Sequence, residues 1–130
     1  MQGNGPIRAF QGMVLDCAPG QAAGLADFYA RLLGWRRAQD PEEGWAMVEA
    51  APGGFSLDFQ EVEGYTPPAW PGGPGQPGQM EHMDFRVDDL PQAVEWALAC
   101  GARLASVQYY AACRTLLDPA GHPFCLDASA

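Results

Sequence analysis

The sequence predicts an α+β fold of two βαβββ modules whose strands form a cupped mixed sheet with the helices outside. Three observations carry this. Phe55-Ser56-Leu57-Asp58 recurs as Phe124-Cys125-Leu126-Asp127, with Ser56 and Cys125 69 positions apart. Gly12–Cys17 (GMVLDC) lies 70 positions before His82–Val87 (HMDFRV). Each of these first strand-like runs is followed by a helical pattern that stops at a glycine, Gly34 in one copy and Gly101 in the other. Repetition at a fixed spacing marks a duplicated supersecondary unit. The expected layout is one domain over residues 1–130, with module one at about 10–63, a connecting loop over 64–79 and module two at about 80–128.

Residues 10–17 alternate as a strand with Met13, Leu15 and Cys17 on one face and Gly12, Val14 and Asp16 on the other. Gln21–Leu33 places Leu25, Phe28, Tyr29, Leu32 and Leu33 on one helical stripe, and Gly34 supplies the left-handed cap that ends it. Trp35–Ala38 and Trp45–Glu49 read as short strands around the turn Asp40–Gly44, and Phe55–Val62 as a third. Gly64–Gln79 holds five glycines and five prolines around Tyr65 and Trp70, which excludes helix and inner strand. A loop of that length with two large aromatics reads as a flap folded over the protein.

The second half repeats the plan. Met80–Val87 reads as a strand with Met83, Phe85 and Val87 on one face and His82, Asp84 and Arg86 on the other. Asp88 or Asp89 caps a helix beginning near Leu90-Pro91, with Val94, Ala97 and Leu98 as its buried stripe. Strands follow near Arg103–Gln108, Ala112–Leu117 and Phe124–Ala128, with Asp118–Gly121 turning the chain before the last.

The bulk numbers narrow the function classes. The net charge of −9, with seven arginines and no lysine, excludes a phosphate-backbone partner, so no nucleic acid is expected. No apolar run reaches the roughly twenty residues that span a bilayer. Met1–Pro6 reads as a loose tail rather than a signal peptide. The four cysteines form no CxxC pair and no zinc-type spacing with either histidine, so reduced thiols in the cytoplasm are expected.

The helix FYARLLGW, the strand HMDFRVDD and the turn DPAGHPF, set in two βαβββ units, resemble the vicinal oxygen chelate superfamily. The likeness runs from about Phe10 to Ala128 and is nearest to glyoxalase-like and bleomycin-resistance-like domains, in which a loop like Tyr65–Pro71 also occurs. The resemblance implies a glyoxalase/bleomycin-resistance/dioxygenase fold and, in the enzymes, a metal held by one ligand from the first and one from the last strand of each module. Here those positions are Gly12, Ser56, His82 and Cys125. Glycine offers no side-chain donor and a neutral serine hydroxyl is a poor one, so no tightly bound divalent metal and no cofactor are expected. Slipping module one by one residue would recruit Gln11 with Asp58 or Gln60, but it would turn Met13 and Leu15 into the cavity.

The candidate site comprises Asp16, Trp45, Ser56, Asp58, Gln60, Tyr65, Trp70, His82, Asp84, Arg86 and Cys125. His82 reads as a ligand-contacting base or donor, or as an inherited histidine serving only its neighbours. Cys125 reads as a buried inert thiol, or as a nucleophile paired with His82. Asp84 is placed to orient His82 or to accept from a cationic ligand. Asp16 and Arg86 occupy equivalent positions and are expected to meet as an ion pair in the cavity. Trp45, Tyr65, Trp70, Tyr109 and Tyr110 are candidate aromatic walls, whereas Phe59 belongs to the core and His122 to its turn. Two functions fit: a small-molecule-binding protein without the metal site, or a superfamily enzyme (lyase, isomerase or dioxygenase), metal-dependent or using His82 or Cys125. A homodimer is expected, as resemblance to proteins that pair about a two-fold implies.

Overall fold

The computed structural model describes residues 5–129, so most of the expected N-terminal tail (Met1–Asn4) lies outside the described residues. The chain runs β1 (Gly12–Cys17), α1 (Ala22–Leu33), β2 (Arg36–Arg37), β3 (Trp45–Glu49), β4 (Ser56–Glu61), β5 (Met83–Arg86), α2 (Leu90–Cys100), β6 (Arg103–Leu104), β7 (Cys113–Leu117) and β8 (Pro123–Asp127). This is βαβββ twice. Hydrogen bonding stays within each module and gives two four-stranded sheets, ordered β1-β4-β3-β2 and β5-β8-β7-β6. In each, the first strand runs parallel to the last and the remaining pairs are antiparallel. Among the described residues no helix is long and apolar enough to cross a membrane.

The helices end as their residues dictate. Gly34 adopts φ 69° and its N–H bonds the Ala30 carbonyl. Asp89 caps α2 by accepting from Gln92 N at 3.0 Å. The buried stripe of α2 differs from the expected one: Ala97 and Cys100 are buried with Ala93 and Val94 packed behind them, while Leu98 is exposed. Trp96 Nε1 donates to the Leu32 carbonyl of α1 at 3.1 Å, which fixes the rotation of α2 against its neighbour.

The core spans both modules. Tyr29 stacks on Phe59 of module one at 5.4 Å and meets Phe124 of module two edge-on at 6.4 Å. Phe28 touches Phe124 as well, at 6.1 Å. Such aromatic pairs are worth about 0.5–1.5 kcal/mol each beyond the area they bury.

The repeat is not exact in register. Module one sets Gly12 opposite Ser56. Equivalent positions would set His82 opposite Cys125, but the structure sets Asp84 there. A two-residue shift keeps every side chain on its face while changing which residues are neighbours. The register of module one requires glycine at position 12: a Cβ there would lie 2.4 Å from the Ser56 carbonyl oxygen and 2.6 Å from Ser56 Oγ.

Gly12→Ala should therefore destabilise the protein by about 1–3 kcal/mol, the usual cost of overpacking. Gly24→Ala, at an exposed position of α1 with open space around it, should stabilise by about 0.5–1 kcal/mol. Urea unfolding of the two variants checks both signs.

Candidate functional site

The connecting loop builds the site by folding over module two of its own chain. It closes on itself through Ala69 N and the Pro77 carbonyl, 2.7 Å apart. Tyr65, at its root, donates to the Ala120 carbonyl at 3.0 Å, and its oxygen lies 3.2 Å from His122 Nε2. Pro67 presses on Gly121, where a Cβ would come within 2.8 Å of the proline ring and φ is +95°, so the turn admits only glycine there. Further along, the Trp70 ring sits 5.8 Å from His82 and 6.4 Å from Tyr109.

These anchors converge on a buried carboxylate. Asp118 is fully buried. Its Oδ1 accepts from Ala120 N and His122 N, both at 2.9 Å. Its Oδ2 accepts from Tyr29 Oη at 2.6 Å and lies 2.8 Å from His122 Nδ1. Four short contacts to donors compensate the desolvation of the charge. The sequence identified the DPAGH turn but not this role, because Tyr29 stands 89 positions away.

Of the cavities that border the loop, two include His82. The larger, about 650 Å³, is walled by Trp70, Tyr109 and Tyr110 over a floor that includes Thr115 and Cys125, with His82 and Asp84 at its side. The smaller, about 330 Å³, lies between β1 and the segment leading into β5, and Asp16, Tyr65, His82 and His122 border it. Five of the expected residues are not gathered as foreseen. Trp45, Ser56, Asp58, Gln60 and Arg86 line neither cavity. Asp16 and Arg86 form no ion pair, since β1 and β5 belong to separate sheets. Sequence reasoning overlooked Cys113, Thr115 and Asp127, which come from β7 and β8 to complete the larger cavity.

The metal positions implied by the family resemblance do not assemble into a donor set. Gly12 has no room for any side chain, and the Ser56 hydroxyl donates to Asp58 Oδ1 at 2.7 Å. Within module two, however, His82 Nε2 lies 3.3 Å from Asp84 Oδ1, and the donor atoms of His82, Asp84 and Cys125 all fall within 4.8 Å of one another. Cys125 Sγ also meets Thr115 Oγ1 at 3.4 Å. All four cysteines are free thiols. Burial, with a hydrogen bond to Cys125 and nearby negative charge, pushes the Cys113 thiol up to about 11.

The family described as "Glyoxalase-like domain" matches residues 12–126. No curated protein matches the chain. Among solved structures, a glyoxalase/bleomycin resistance protein/dioxygenase family enzyme from Burkholderia phytofirmans PsJN is 17% identical, with 90% of this chain and 95% of that one covered and a TM-score of 0.67. A point mutant of the fosfomycin resistance protein FosX from Listeria monocytogenes, complexed with Mn(II) and 1S,2S-dihydroxypropylphosphonic acid, is 12% identical, with coverage of 95% and 92% and a TM-score of 0.66. The antibiotic binding protein TnmS3 from Streptomyces sp. CB03234 is 18% identical, with coverage of 95% and 98% and a TM-score of 0.57. These likenesses establish the fold, with the two modules in the order the sequence predicts.

The anchor makes the fold sensitive to alkali. Burial first, then the charge of Asp118, raises Tyr29 well above its ordinary 10.0. The same causes lead in raising Tyr65 to about 12. Both phenols must stay protonated in the folded state, so their contribution is complete below pH 10; that of Tyr65 is lost as the pH rises toward about 12, and that of Tyr29 declines with alkali in the same sense. Urea midpoints should hold steady up to that lower limit and then fall. Tyr29→Phe should lower stability at neutral pH by about 1.5–3 kcal/mol, the worth of a hydrogen bond to a charged group, and should flatten the alkaline decline.

Proposed function

The chain belongs to the glyoxalase-like domain family, and we propose that it acts there as a small-molecule-binding protein of the bleomycin-resistance type, without the superfamily's four-strand metal site. One observation carries this reading: a mostly apolar cavity of about 650 Å³ in which Trp70, Tyr109 and Tyr110 stand near His82, Asp84 and Thr115. Ligand sites commonly have volumes of about 300–1,000 Å³, with mostly apolar walls and a few convergent polar groups. Tyr65 fixes the root of the loop, Trp70 offers a ring face for stacking, and His82, Asp84 and Cys125 supply the polar contacts. TnmS3, named as an antibiotic binding protein, and FosX, solved with a phosphonate, are proteins of this fold that hold small molecules.

A second reading, a superfamily enzyme using His82 or Cys125, draws on the His82–Asp84 contact of 3.3 Å, because a carboxylate beside an imidazole orients it as a base. The product decides between the two. Thermal melting against a panel of aromatic natural-product antibiotics, beginning with bleomycin, should find a compound that raises the midpoint and is recovered chemically unchanged. At a hundredfold excess over Kd the gain is about 2.7 kcal/mol. Trp70→Ala should abolish the shift. A panel that leaves wild-type melting unmoved, or conversion of the compound by wild-type but not His82→Ala protein, would overturn the binding reading.

The proposal includes a homodimer. Val14, Trp96, Leu98 and Leu104 keep between 44% and 51% of their surface exposed, apolar area that a second copy can cover. Sedimentation at micromolar concentration should give twice the chain mass of 13.9 kDa, and a single species at the chain mass removes this part of the reading.

A further inference from the structure

We propose that module two carries a divalent-metal site of its own, formed by Cys125 Sγ, His82 Nε2 and an Asp84 carboxylate oxygen, and that its chemistry suits zinc. The site goes beyond the ligand-binding reading and does not rest on it. It also differs from the arrangement the superfamily resemblance implies, since every donor comes from one module and none from Gly12 or Ser56.

The register shift creates it. Because Asp84, not His82, lies opposite Cys125, a carboxylate enters the set that the repeat alone would leave out. Counting donors at the four equivalent sequence positions gives two, which is why the sequence predicts no metal. Counting them in space gives three. All three side chains face the larger cavity.

The distances are those of a site one rotamer step from closure. Bonds to zinc of about 2.0 Å for nitrogen and oxygen and about 2.3 Å for sulfur, at tetrahedral angles, separate the donors by about 3.3–3.6 Å. His82 and Asp84 already stand 3.3 Å apart, and the full set lies within 4.8 Å. The remaining gap falls to the exposed partners. The side chains of His82 and Asp84 are 38% and 63% exposed, while Cys125 is 7% exposed in β8.

Charge and softness select the ion. A thiolate and a carboxylate neutralise a 2+ ion, and binding releases the thiol proton to solvent. Thiolate and imidazole favour zinc over magnesium or calcium, which seek oxygen shells. Near the set, Thr115 Oγ1 lies 3.4 Å from Cys125 Sγ, and Cys113 lines the same cavity. Arg86, on the same strand, stands opposite Asp127 and exerts its charge there. Three protein donors leave a fourth tetrahedral position, which opens toward the cavity under Trp70.

The test uses the full chain, stripped of metal and kept reduced. Zinc is titrated in competition with a chromophoric chelator, and cobalt(II) serves as the spectroscopic probe. One ion per chain is expected, with tetrahedral visible bands and a near-ultraviolet sulfur-to-cobalt charge-transfer band. Cys125→Ser should remove that band. Cys125→Ser, His82→Ala and Asp84→Asn should each weaken zinc by more than about tenfold, the loss that outer-shell partners alone can cause. Cys100→Ser, remote from the cavity, should change neither. Circular dichroism of each variant separates loss of the site from loss of the fold. Wild-type protein that binds no zinc, or zinc binding undiminished by Cys125→Ser or Asp84→Asn, overturns the site. If antibiotic-induced stabilisation persists in that case, the ligand-binding reading survives.

Discussion

The fully buried carboxylate of Asp118 is the constraint on which the rest of the structure depends. It belongs to a turn of module two, yet its shortest hydrogen bond comes from Tyr29 on the helix of module one. Through His122 it reaches Tyr65, the first aromatic of the connecting loop. One charged group thus holds together two modules whose sheets share no hydrogen bonds, and it fixes where the loop begins. Removing a partner from such a group leaves a buried charge without compensation, which costs far more than the average hydrogen bond contributes. The position of Trp70 over His82 follows from that anchor.

Duplication gave the two modules the same plan, and the structure shows how unevenly it has been used. Module one retains the packing pattern but has Gly12 where a side chain would collide with Ser56. Its first strand borders the smaller cavity with the connecting loop, while Trp45, Ser56, Asp58 and Gln60 line neither cavity. Module two has the loop, the aromatic wall and the cluster of His82, Asp84 and Cys125. Scaffold and site have separated along the line of the repeat.

The elements were legible in the sequence because each is written in local chemistry. Leu25, Phe28 and Tyr29 mark the buried stripe of α1, Gly34 its end and Asp89 the start of α2. Phe59 belongs to the core, as alternation predicts. What the sequence could not supply was relation between distant segments. The expected pairing of Asp16 with Arg86 assumed that the first strands pair side by side, and the inclusion of Trp45, Ser56, Asp58 and Gln60 assumed that β3 and β4 line a cavity along with module two. Both assumptions concern sheet pairing and loop placement, which no local pattern encodes. Register is equally hidden: repeats aligned at Gly12 and His82 look equivalent until the strands are paired. His122, read as serving its turn, does so, but it also bonds Tyr65, a contact spanning 57 positions.

The doubled pinning of the connecting loop bears on how the chain avoids tangling with its own copies. A protein made of two similar halves is open to exchange, in which module one of one chain docks on module two of another and the linker straightens to bridge them. The packing between the halves offers no defence, because an exchanged pair satisfies the same aromatic contacts and the same bond from Tyr29. The defence lies in the linker. Tyr65 and Pro67 are fastened to the turn at Ala120–His122, and Trp70 is set against His82 and Tyr109. Straightening would have to break all of these at once, so the loop that roofs the cavity also keeps each chain folded upon itself.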